Sequence, residues 1–140
     1  MGKRAFDFIC ALLGLLILSP LLLVIAIAIK LTSRGPVFFH QQRNGRSFQP
    51  FQIVKFRTMY EGLDGPLITA SSDCRVTGVG RLLRRTKFDE FPQLWNVLKG
   101  EMSLVGPRPE VEKYVAQFRE DYAEILSVRP GITDPASIAY

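Results

Sequence analysis

The chain has 140 residues, which is enough for one domain of modest size and too few for two. Its net charge of +5 comes without a recognisable nucleic-acid-binding motif, so we do not assign the basic charge to nucleic acid. Two cysteines and one histidine are too few for a metal site of the Cys and His type. Because Cys10 lies in an apolar run and Cys74 in a polar loop, no disulfide is predicted and a reducing compartment is favoured.

A long apolar segment begins the chain. No charged residue occurs between Phe8 and Ile29, and the basic residues Lys3, Arg4, Lys30 and Arg34 flank the segment on both sides. The segment is too long for a signal peptide and lacks a small-residue cleavage site. As a helix it would measure about 33 Å, which is enough to span a bilayer.

The topology of this segment is left open by its own residues. Pro20 cannot donate a hydrogen bond to the carbonyl of Leu16, so the Ser19-Pro20 pair predicts a bend or a break, where the Ser19 hydroxyl can help to satisfy the local backbone. A kinked spanning helix fits this pattern. A re-entrant hairpin also fits, because the basic residues at both ends prefer the cytoplasmic face. In both cases the segment holds the rest of the chain at the membrane.

After Gly35-Pro36 the pattern changes to that of a small soluble domain. Val37–Gln42 and Phe51–Phe56 are predicted as the strands of a hairpin that turns at Asn44-Gly45. Phe51, Ile53 and Lys55 are expected on one face of the second strand. A loop follows at Glu61–Asp73.

Three helices are predicted in the rest of the chain, at Val79–Arg85, Asp89–Lys99 and Glu110–Leu126. The second has the clearest pattern, with an apolar face of Phe91, Leu94, Trp95 and Leu98 and with Gly100 just beyond its end. Pro92 is compatible with this helix only in its first turn. The predicted fold is therefore a mainly α, membrane-associated protein with one small β-hairpin.

The middle of the chain is strongly basic. Eleven Lys and Arg residues stand between Lys30 and Lys87, against Glu61, Asp64 and Asp73. Next to an apolar segment, this charge suits an anionic membrane surface and a substrate that carries phosphate.

The adjacent acids Asp89 and Glu90 are the strongest candidates for chemistry. At a helix N-terminus, and after the cations Arg84, Arg85 and Lys87, the ionised form of Asp89 would be favoured. Such a carboxylate can attack phosphorus, and a neighbouring carboxylate can hold Mg²⁺. The pattern alone favours the simpler interpretation, an N-capping Asp beside a solvated Glu.

Two arginines lie beside rigid turns. In Pro107-Arg108-Pro109 the prolines fix the backbone and can aim the guanidinium at a phosphate, although an exposed arginine on a turn is an equal alternative. Arg129 precedes Pro130-Gly131, where backbone amides can receive a phosphate or a nucleobase. Lys55 and Arg57 share one face of the second strand, which could also be a solvated face.

Taken together, these motifs resemble the monotopic bacterial sugar transferases, which initiate capsule, O-antigen, exopolysaccharide and glycoprotein glycan assembly. The match runs in order along essentially the whole chain and rests on Lys3-Arg4 with Asp7, Ser19-Pro20, Lys55-Phe56-Arg57-Thr58-Met59, Asp73 with Arg75 and Thr77, Gly80 with Leu82, Leu83 and Arg84, Asp89-Glu90-Phe91-Pro92-Gln93-Leu94, Asn96-Val97-Leu98, Gly100, Met102-Ser103, Gly106-Pro107-Arg108-Pro109 and Arg129-Pro130-Gly131-Ile132-Thr133.

The resemblance implies a fold and a location. Residues 1–34 would form a re-entrant helix-break-helix with its break at Ser19-Pro20, and residues 35–140 a catalytic domain with amphipathic interfacial helices. The protein would be monotopic, held among the lipids of the bacterial inner membrane on its cytoplasmic face.

The resemblance also implies a reaction. Asp89 would attack the sugar-bearing phosphate of a UDP-sugar, release UMP, and pass the phosphosugar to undecaprenyl phosphate, with Glu90 binding Mg²⁺. Phosphates would be held by four cations, and the nucleotide site would be shaped by Pro109, Pro130 and Gly131. The four cations are Lys55, Arg84, Arg108 and Arg129.

Some alternatives stay open. Many members have Gly after the Pro-Gly-Ile-Thr motif and continue further, whereas Asp134-Pro135 follows here and the sequence stops at Tyr140, which predicts a truncated chain or a compact subfamily. A membrane-associated phosphohydrolase and a non-catalytic scaffold for anionic lipids are the competing functions. Neither the sugar transferred nor association between copies of the chain, as a homo-oligomer, can be read from the sequence.

Overall fold

A computed structural model describes residues 2–63, 65 and 73–135. It is mainly helical, with a long apolar N-terminal helix and a small antiparallel hairpin, which confirms the predicted fold class at that level. In chain order the regular elements are α1 (Gly2–Thr32), β1 (Phe38–Asn44), a 3-10 helix (Arg46–Phe48), β2 (Pro50–Phe56), α2 (Gly78–Thr86), a 3-10 helix (Phe88–Gln93), α3 (Leu94–Lys99), β3 (Ser103–Val105), α4 (Glu112–Gln117), α5 (Arg119–Ile125) and β4 (Gly131–Thr133).

Helix α1 runs without interruption through Pro20. The Ser19 hydroxyl donates a hydrogen bond of 2.8 Å to the Leu16 carbonyl, which is the acceptor that Pro20 cannot serve. The structure therefore has one continuous helix where two segments were expected, and Ser19 satisfies the backbone at the proline. With 31 residues, α1 is long and apolar enough to cross a membrane, and most of it is exposed.

Both ends of α1 are bound to the rest of the protein. At the N-terminal end, Arg4 donates hydrogen bonds to the Val97 and Leu98 carbonyls at the end of α3, and Lys3 donates one to the Val105 carbonyl in β3. At the other end, Arg57 donates to the carbonyl and the hydroxyl of Ser33. One folded body thus contacts the helix at both termini.

Apolar packing joins α1 to the body at two places. Near its N-terminal half, Ala11 packs with Phe51, Ile53, Val97 and Met102. Near its C-terminal half, a second cluster consists of Ile25, Ile29, Phe56 and Leu83. Because Phe51 and Phe56 are at opposite ends of β2, the strand lies against both halves of the helix.

The predicted hairpin is confirmed, but its turn is different. Strands β1 and β2 pair antiparallel from Phe38 opposite Phe56 to Asn44 opposite Pro50. The connection between them contains a 3-10 turn and two residues with positive φ, Ser47 and Phe48, so it is wider than the tight turn expected at Asn44-Gly45. The expected face of β2 is also confirmed, since Phe51 and Ile53 are buried and Lys55 is half-buried.

A second pair of strands was not predicted. Strands β3 and β4 pair in parallel, with Ser103 opposite Gly131 and Val105 opposite Thr133. The Gly106 and Gly131 backbones touch closely: a Cβ on Gly131 would lie 2.0 Å from the Gly106 nitrogen. Each strand has three residues, too few for a period-2 pattern to be visible in the sequence.

The predicted helix Asp89–Lys99 consists of two parts, the 3-10 helix Phe88–Gln93 and α3. Pro92 lies inside the first part and donates no backbone hydrogen bond, which fits the tighter and shorter helix. The expected apolar face is wrong in part, because Trp95 is 54% exposed whereas Gln93, Asn96 and Val97 are buried. Gly100 ends α3 as expected. It has the left-handed conformation, and its N–H donates hydrogen bonds to the Asn96 and Val97 carbonyls.

The two other predicted helices have different outcomes. Helix α2 confirms the prediction at Val79–Arg85, and the Thr77 side chain caps it by accepting a hydrogen bond from Gly80. The single helix expected at Glu110–Leu126 is instead two short helices, α4 and α5, separated at Phe118, whose φ of −128° and ψ of 45° are not helical. Most of the loop predicted at Glu61–Asp73 lies outside the described residues.

Candidate active site

The acidic pair lies in the first turn of the 3-10 helix Phe88–Gln93. Asp89 does not cap this helix as the sequence suggested. The cap position belongs to Lys87, in the left-handed conformation, and no side chain caps the helix. Glu90 forms an ion pair of 3.0 Å with Lys55 of β2. The 3-10 helix and β2 are therefore joined through this pair.

Asp89 is half-buried, and its Oδ1 atom is fully buried without a hydrogen-bond donor in the described part of the chain. Burial raises the pKa of Asp89 above its ordinary value, and the neighbouring charge of Glu90 raises it further. Lys55 and Arg84 act in the opposite direction. The sequence predicted surroundings that favour the ionised form of Asp89, whereas in the structure they disfavour it, because desolvation outweighs the cations.

Arg84 is placed by α2 and by Thr58. Its Nε atom donates a hydrogen bond of 2.8 Å to the Thr58 hydroxyl, which is buried. The two terminal nitrogens of Arg84 donate to no residue that the structure describes. The arrangement leaves two donors of a planar guanidinium beside Asp89, as a phosphate site requires.

A cleft next to the acidic pair brings together several predicted residues. Its lining includes Lys55 and Glu90 together with Arg108, Pro109 and Gly131, and does not include Asp89 or Arg84. Arg108 is exposed and donates no hydrogen bond within the described residues. The wall with Arg108 belongs to the turn after β3, and its shape is set by the Gly131 N–H, which donates a hydrogen bond of 2.8 Å to the Pro107 carbonyl.

Two predicted site residues lie elsewhere. Arg129 lines a second cleft with Arg46, Phe51 and Lys99, and its Nε donates a hydrogen bond of 2.8 Å to the Gly100 carbonyl. Pro130 is fully buried, and its carbonyl accepts a hydrogen bond from the Ser103 nitrogen. The structure thus does not bring Arg129 into the cleft of Glu90 and Arg108, and Pro130 has a structural position behind it.

Three residues that shape the site received no role from the sequence, although Gln93 and Asn96 lie in the family motifs. Arg43 and Gln93 line the cleft. Asn96, a residue of α3, is completely buried and faces β2. The Asn96 side chain accepts a hydrogen bond from the Val54 nitrogen and donates one to the Gln52 carbonyl, so it pairs with the free edge of β2 as a strand would. A polar residue inside a predicted helix was the available signal for Asn96. Arg43 gave no signal, because strand ends often carry arginine.

The acidic pair is compatible with Mg²⁺. The described residues contain no group of three or more His, Cys, Asp or Glu side chains that could form a complete metal site. Mg²⁺ is usually held by one or two carboxylates together with water and substrate phosphates, and Asp89 and Glu90 are two adjacent carboxylates. The unpartnered Oδ1 of Asp89 is a hard oxygen ligand of the kind that this ion prefers.

This arrangement can act on a phosphate ester. It provides a partly desolvated carboxylate, a second carboxylate beside it, and cations on both sides. A desolvated carboxylate is a better nucleophile than a hydrated one, and the cations can stabilise charge on a phosphoryl group.

Comparison with known proteins agrees with this chemistry. The chain matches the model of the family described as bacterial sugar transferase over residues 1–140. It is 49% identical to an undecaprenyl-phosphate glucose phosphotransferase of Komagataeibacter xylinus, over 99% of this chain and 28% of that protein. It is 47% identical to a UDP-glucose:undecaprenyl-phosphate glucose-1-phosphate transferase of Caulobacter vibrioides, over 99% of this chain and 54% of that protein.

A shorter relative is matched over more of its length. The exopolysaccharide production protein PSS of Rhizobium leguminosarum is 42% identical, over 97% of this chain and 72% of that protein. The chain spans about half or less of the length of the two glucose phosphotransferases. By the family match along its whole length, the chain belongs to the bacterial sugar transferase family.

Proposed function

We propose that the protein is a phosphoglycosyl transferase that moves a phosphosugar from a UDP-sugar to undecaprenyl phosphate. The observation that carries this proposal is the half-buried Asp89, with an unpartnered oxygen, between Glu90 and two cations. The names of the relatives support the substrates, since they include transferases for UDP-glucose and UDP-N-acetylgalactosamine with undecaprenyl phosphate. Which sugar this chain takes is a separate question.

In the first step, a carboxylate oxygen of Asp89 attacks the phosphorus that bears the sugar. A bond forms between this oxygen and phosphorus, and the bond from phosphorus to the bridging oxygen of the diphosphate breaks. UMP leaves with that oxygen and its electron pair, and the protein holds an aspartyl phosphosugar. Asp89 must be ionised for this step, so Lys55 and Arg84 favour it by opposing the rise in pKa.

In the second step, a phosphate oxygen of undecaprenyl phosphate attacks the same phosphorus. The acyl-phosphate bond breaks, the Asp89 carboxylate is regenerated, and undecaprenyl-diphospho-sugar is released. The free terminal nitrogens of Arg84 are in position to hold the phosphoryl oxygens in both steps. Arg108 and Pro109, in the lining of the cleft, would hold the nucleotide part of the donor.

Glu90, with Asp89 beside it, would hold Mg²⁺, which when bound neutralises diphosphate charge and polarises it for attack. The Oε1 atom of Glu90 accepts a hydrogen bond of 3.0 Å from Lys55, and this bond holds the Glu90 side chain in place. Oε2 makes no hydrogen bond with the described residues and is available to a metal. Lys55 therefore has two tasks, to orient Glu90 and to lower the pKa of Asp89.

We propose that the protein is monotopic and lies on the cytoplasmic face of the bacterial inner membrane. If α1 crossed the bilayer, its ends would be separated by a hydrocarbon core of about 30 Å, and a soluble body on one side could contact only one of them. In the structure the body binds Arg4 near one end and Ser33 just beyond the other. This double contact supports an arrangement in which the continuous helix α1 does not cross the bilayer and both of its ends lie on one side.

The covalent step is tested with donor alone. Purified protein given a UDP-sugar without lipid should release a burst of UMP no larger than the enzyme concentration, and its mass should rise by one phosphosugar. Asp89→Asn removes the nucleophile at nearly constant shape and should abolish both signals. Lys113→Ala, at an exposed position on α4, serves as the control that should keep them.

Three outcomes would contradict parts of the proposal. Continuous UMP release at full rate without lipid would identify a phosphohydrolase. Intersecting initial-rate lines together with no adduct would mean direct attack by the lipid phosphate, because a two-step exchange gives parallel lines. No UMP release from any UDP-sugar, with or without undecaprenyl phosphate, would refute the transferase.

A further inference from the structure

Arg43 is a cation of the active-site cleft that has no role in the chemistry described so far. It lies near the end of β1, opposite Phe51 in the hairpin. Cross-strand partners share a face of the sheet, so Arg43 is on the same face as Phe51 and Lys55. Its side chain is 18% exposed, about the same as the 20% of Lys55. An arginine this shielded at a strand end needs a reason, because charged groups are costly to bury without partners.

The contacts of Arg43 only partly compensate its charge. Nη2 donates a hydrogen bond of 2.7 Å to the Gln41 side chain, and Nη1 donates one of 3.3 Å to the Pro109 carbonyl. Both acceptors are neutral. The nearest carboxylate is that of Glu110, 3.7 Å away and 31% exposed. The buried Nε atom donates to no residue in the described part of the chain.

The cleft has an excess of positive charge around Arg43. Its lining contains Arg43, Lys55 and Arg108, but Glu90 as the single carboxylate, and Glu90 is already paired with Lys55. Arg43 and Arg108 therefore face the same space with no acid in the lining left for them. Burial lowers the pKa of Arg43, the carboxylate of Glu110 acts in the opposite direction, and the positive charge of Arg108 adds a smaller lowering. An anion between the two guanidinium groups would offset their repulsion.

We propose that Arg43 is a substrate-binding residue, which together with Arg108 forms a two-guanidinium site for the diphosphate of a nucleotide. The proposal rests on the function given above and extends it, since it assigns the diphosphate to the wall of the cleft formed by Arg43 and Arg108. The hydrogen bond from Arg43 to the Pro109 carbonyl gives the residue a second effect, because it holds the turn that carries Arg108. A planar guanidinium can bind two phosphate oxygens at once in a fixed geometry, whereas a lysine acts as a point charge.

The site is tested by calorimetric titration of the full chain in detergent with UDP, at constant Mg²⁺. UDP carries the diphosphate without a transferable sugar, so binding is measured apart from turnover. Arg43→Met should weaken UDP binding at least tenfold. The affinity of Arg43→Lys for UDP should lie between those of the unaltered protein and Arg43→Met, since lysine keeps the charge but lacks the planar arrangement of donors. Inorganic pyrophosphate should compete with UDP in the unaltered protein and much less in Arg43→Met.

The variant Glu110→Gln distinguishes two possible roles of Arg43: binding the ligand, and stabilising the turn through its ion pair with Glu110. If Arg43 binds the anion, removing the competing carboxylate should leave UDP binding unchanged or make it tighter. If the ion pair of Arg43 with Glu110 only braces the turn, Glu110→Gln should weaken UDP binding as Arg43→Met does, and that result would overturn the proposal. Unchanged UDP binding in Arg43→Met would overturn it as well. A protein that binds UDP through Arg43 but releases no UMP from any UDP-sugar would refute the transferase and leave this site standing.

Discussion

The carboxylate of Asp7, on the apolar helix α1, accepts a hydrogen bond of 2.7 Å from the hydroxyl of Ser103, 96 residues later in the chain. Both residues are buried, at 4% and 2% exposure. The second carboxylate oxygen lies 3.4 Å from the Leu104 nitrogen. Ser103 begins β3, the strand that leads into the turn with Arg108. The bond therefore connects α1 to the turn that contributes Arg108 to the cleft.

Loss of this bond should destabilise the protein. Asp7→Ala leaves the buried Ser103 hydroxyl without its acceptor, which costs about 1–3 kcal/mol for a buried polar group. Asp7→Asn keeps an acceptor and should lose less. Thermal melting of the purified protein in detergent measures the effect, with the exposed Asp121→Ala as a control that should change little. Equal melting temperatures for Asp7→Ala and Asp121→Ala would show that the connection contributes nothing.

The ionised form of Asp89 should lower the free energy of unfolding at neutral pH. Its pKa is raised in the folded protein, so the folded state binds this proton more tightly than the unfolded chain. The resulting stability is fully present below the unfolded pKa and is lost as pH rises through the folded pKa. Asp89→Asn cannot ionise and should melt at a higher temperature than the unaltered protein at pH 7, with the difference shrinking in acid. A lower melting temperature at pH 7 would contradict this.

Lys55 should control the acidic limb of the UMP burst. It lowers the pKa of Asp89, so Lys55→Met should raise that pKa, and a higher pH will be needed to ionise the nucleophile. When the burst rate is measured against pH, the pH at which it falls to half its maximum on the acidic side should therefore be higher in Lys55→Met than in the unaltered protein. Lys113→Met removes an exposed charge on α4 and should leave the profile in place. A loss of rate with no shift of the profile would mean that Lys55 acts only by orienting Glu90.

Local patterns in the sequence predicted the long helix, the hairpin and α2, because each depends on residues close together in the chain. The apolar run defines α1, alternation defines β2, and Thr77 caps α2. The acidic pair and Arg108 were predicted from the sequence motifs, and the structure places Glu90 and Arg108 in the lining of one cleft. Residues that act through distant contacts were harder to find.

The missed features depend on tertiary contacts. Asn96 is buried because it pairs with β2, and Trp95 is exposed although the helical pattern assigned it to the core. The pattern failed at Trp95 because apolar spacing identifies one face of a helix but does not show which of its residues the rest of the protein covers. The pKa of Asp89 was predicted in the wrong direction because burial, which the sequence does not contain, outweighs the neighbouring cations.

The contact between Gly106 and Gly131 should not tolerate a side chain. A Cβ on Gly131 would lie 2.0 Å from the Gly106 nitrogen. The backbones of the two glycines cannot move apart without disturbing the pairing of β3 with β4. Gly131→Ala should therefore lower the melting temperature and weaken UDP binding, because the turn with Arg108 would shift. At Gly78, nothing lies within 4 Å of an added Cβ. Gly78→Ala is the matched control and should be neutral or stabilise by up to about 1 kcal/mol.

The topology of α1 can be decided with cysteine labelling in intact bacterial cells. The native Cys10 and Cys74 are first replaced by serine, and single cysteines are then introduced at Gly2, at Thr32 and at the exposed Ser127 of the soluble body. Because the body binds both ends of α1, all three positions should be on the cytoplasmic side and protected from a membrane-impermeant thiol reagent. Permeabilised cells should show labelling at each position, which proves that the thiols are reactive.

A spanning helix makes the opposite prediction for one end only. If α1 crosses the membrane, either Gly2→Cys or Thr32→Cys will be labelled from outside while Ser127→Cys stays protected. The contacts of Arg4 with α3 and of Ser33 with Arg57 could not then both exist in the membrane. Replacing Ser19 and Pro20 together by Ala and Leu restores a full set of backbone hydrogen bonds in α1 and favours a straight helix. If both ends of α1 lie on one side of the membrane in the unaltered protein, this double variant should expose one end to the reagent and lose UMP release, since the body would lose one of its two attachments.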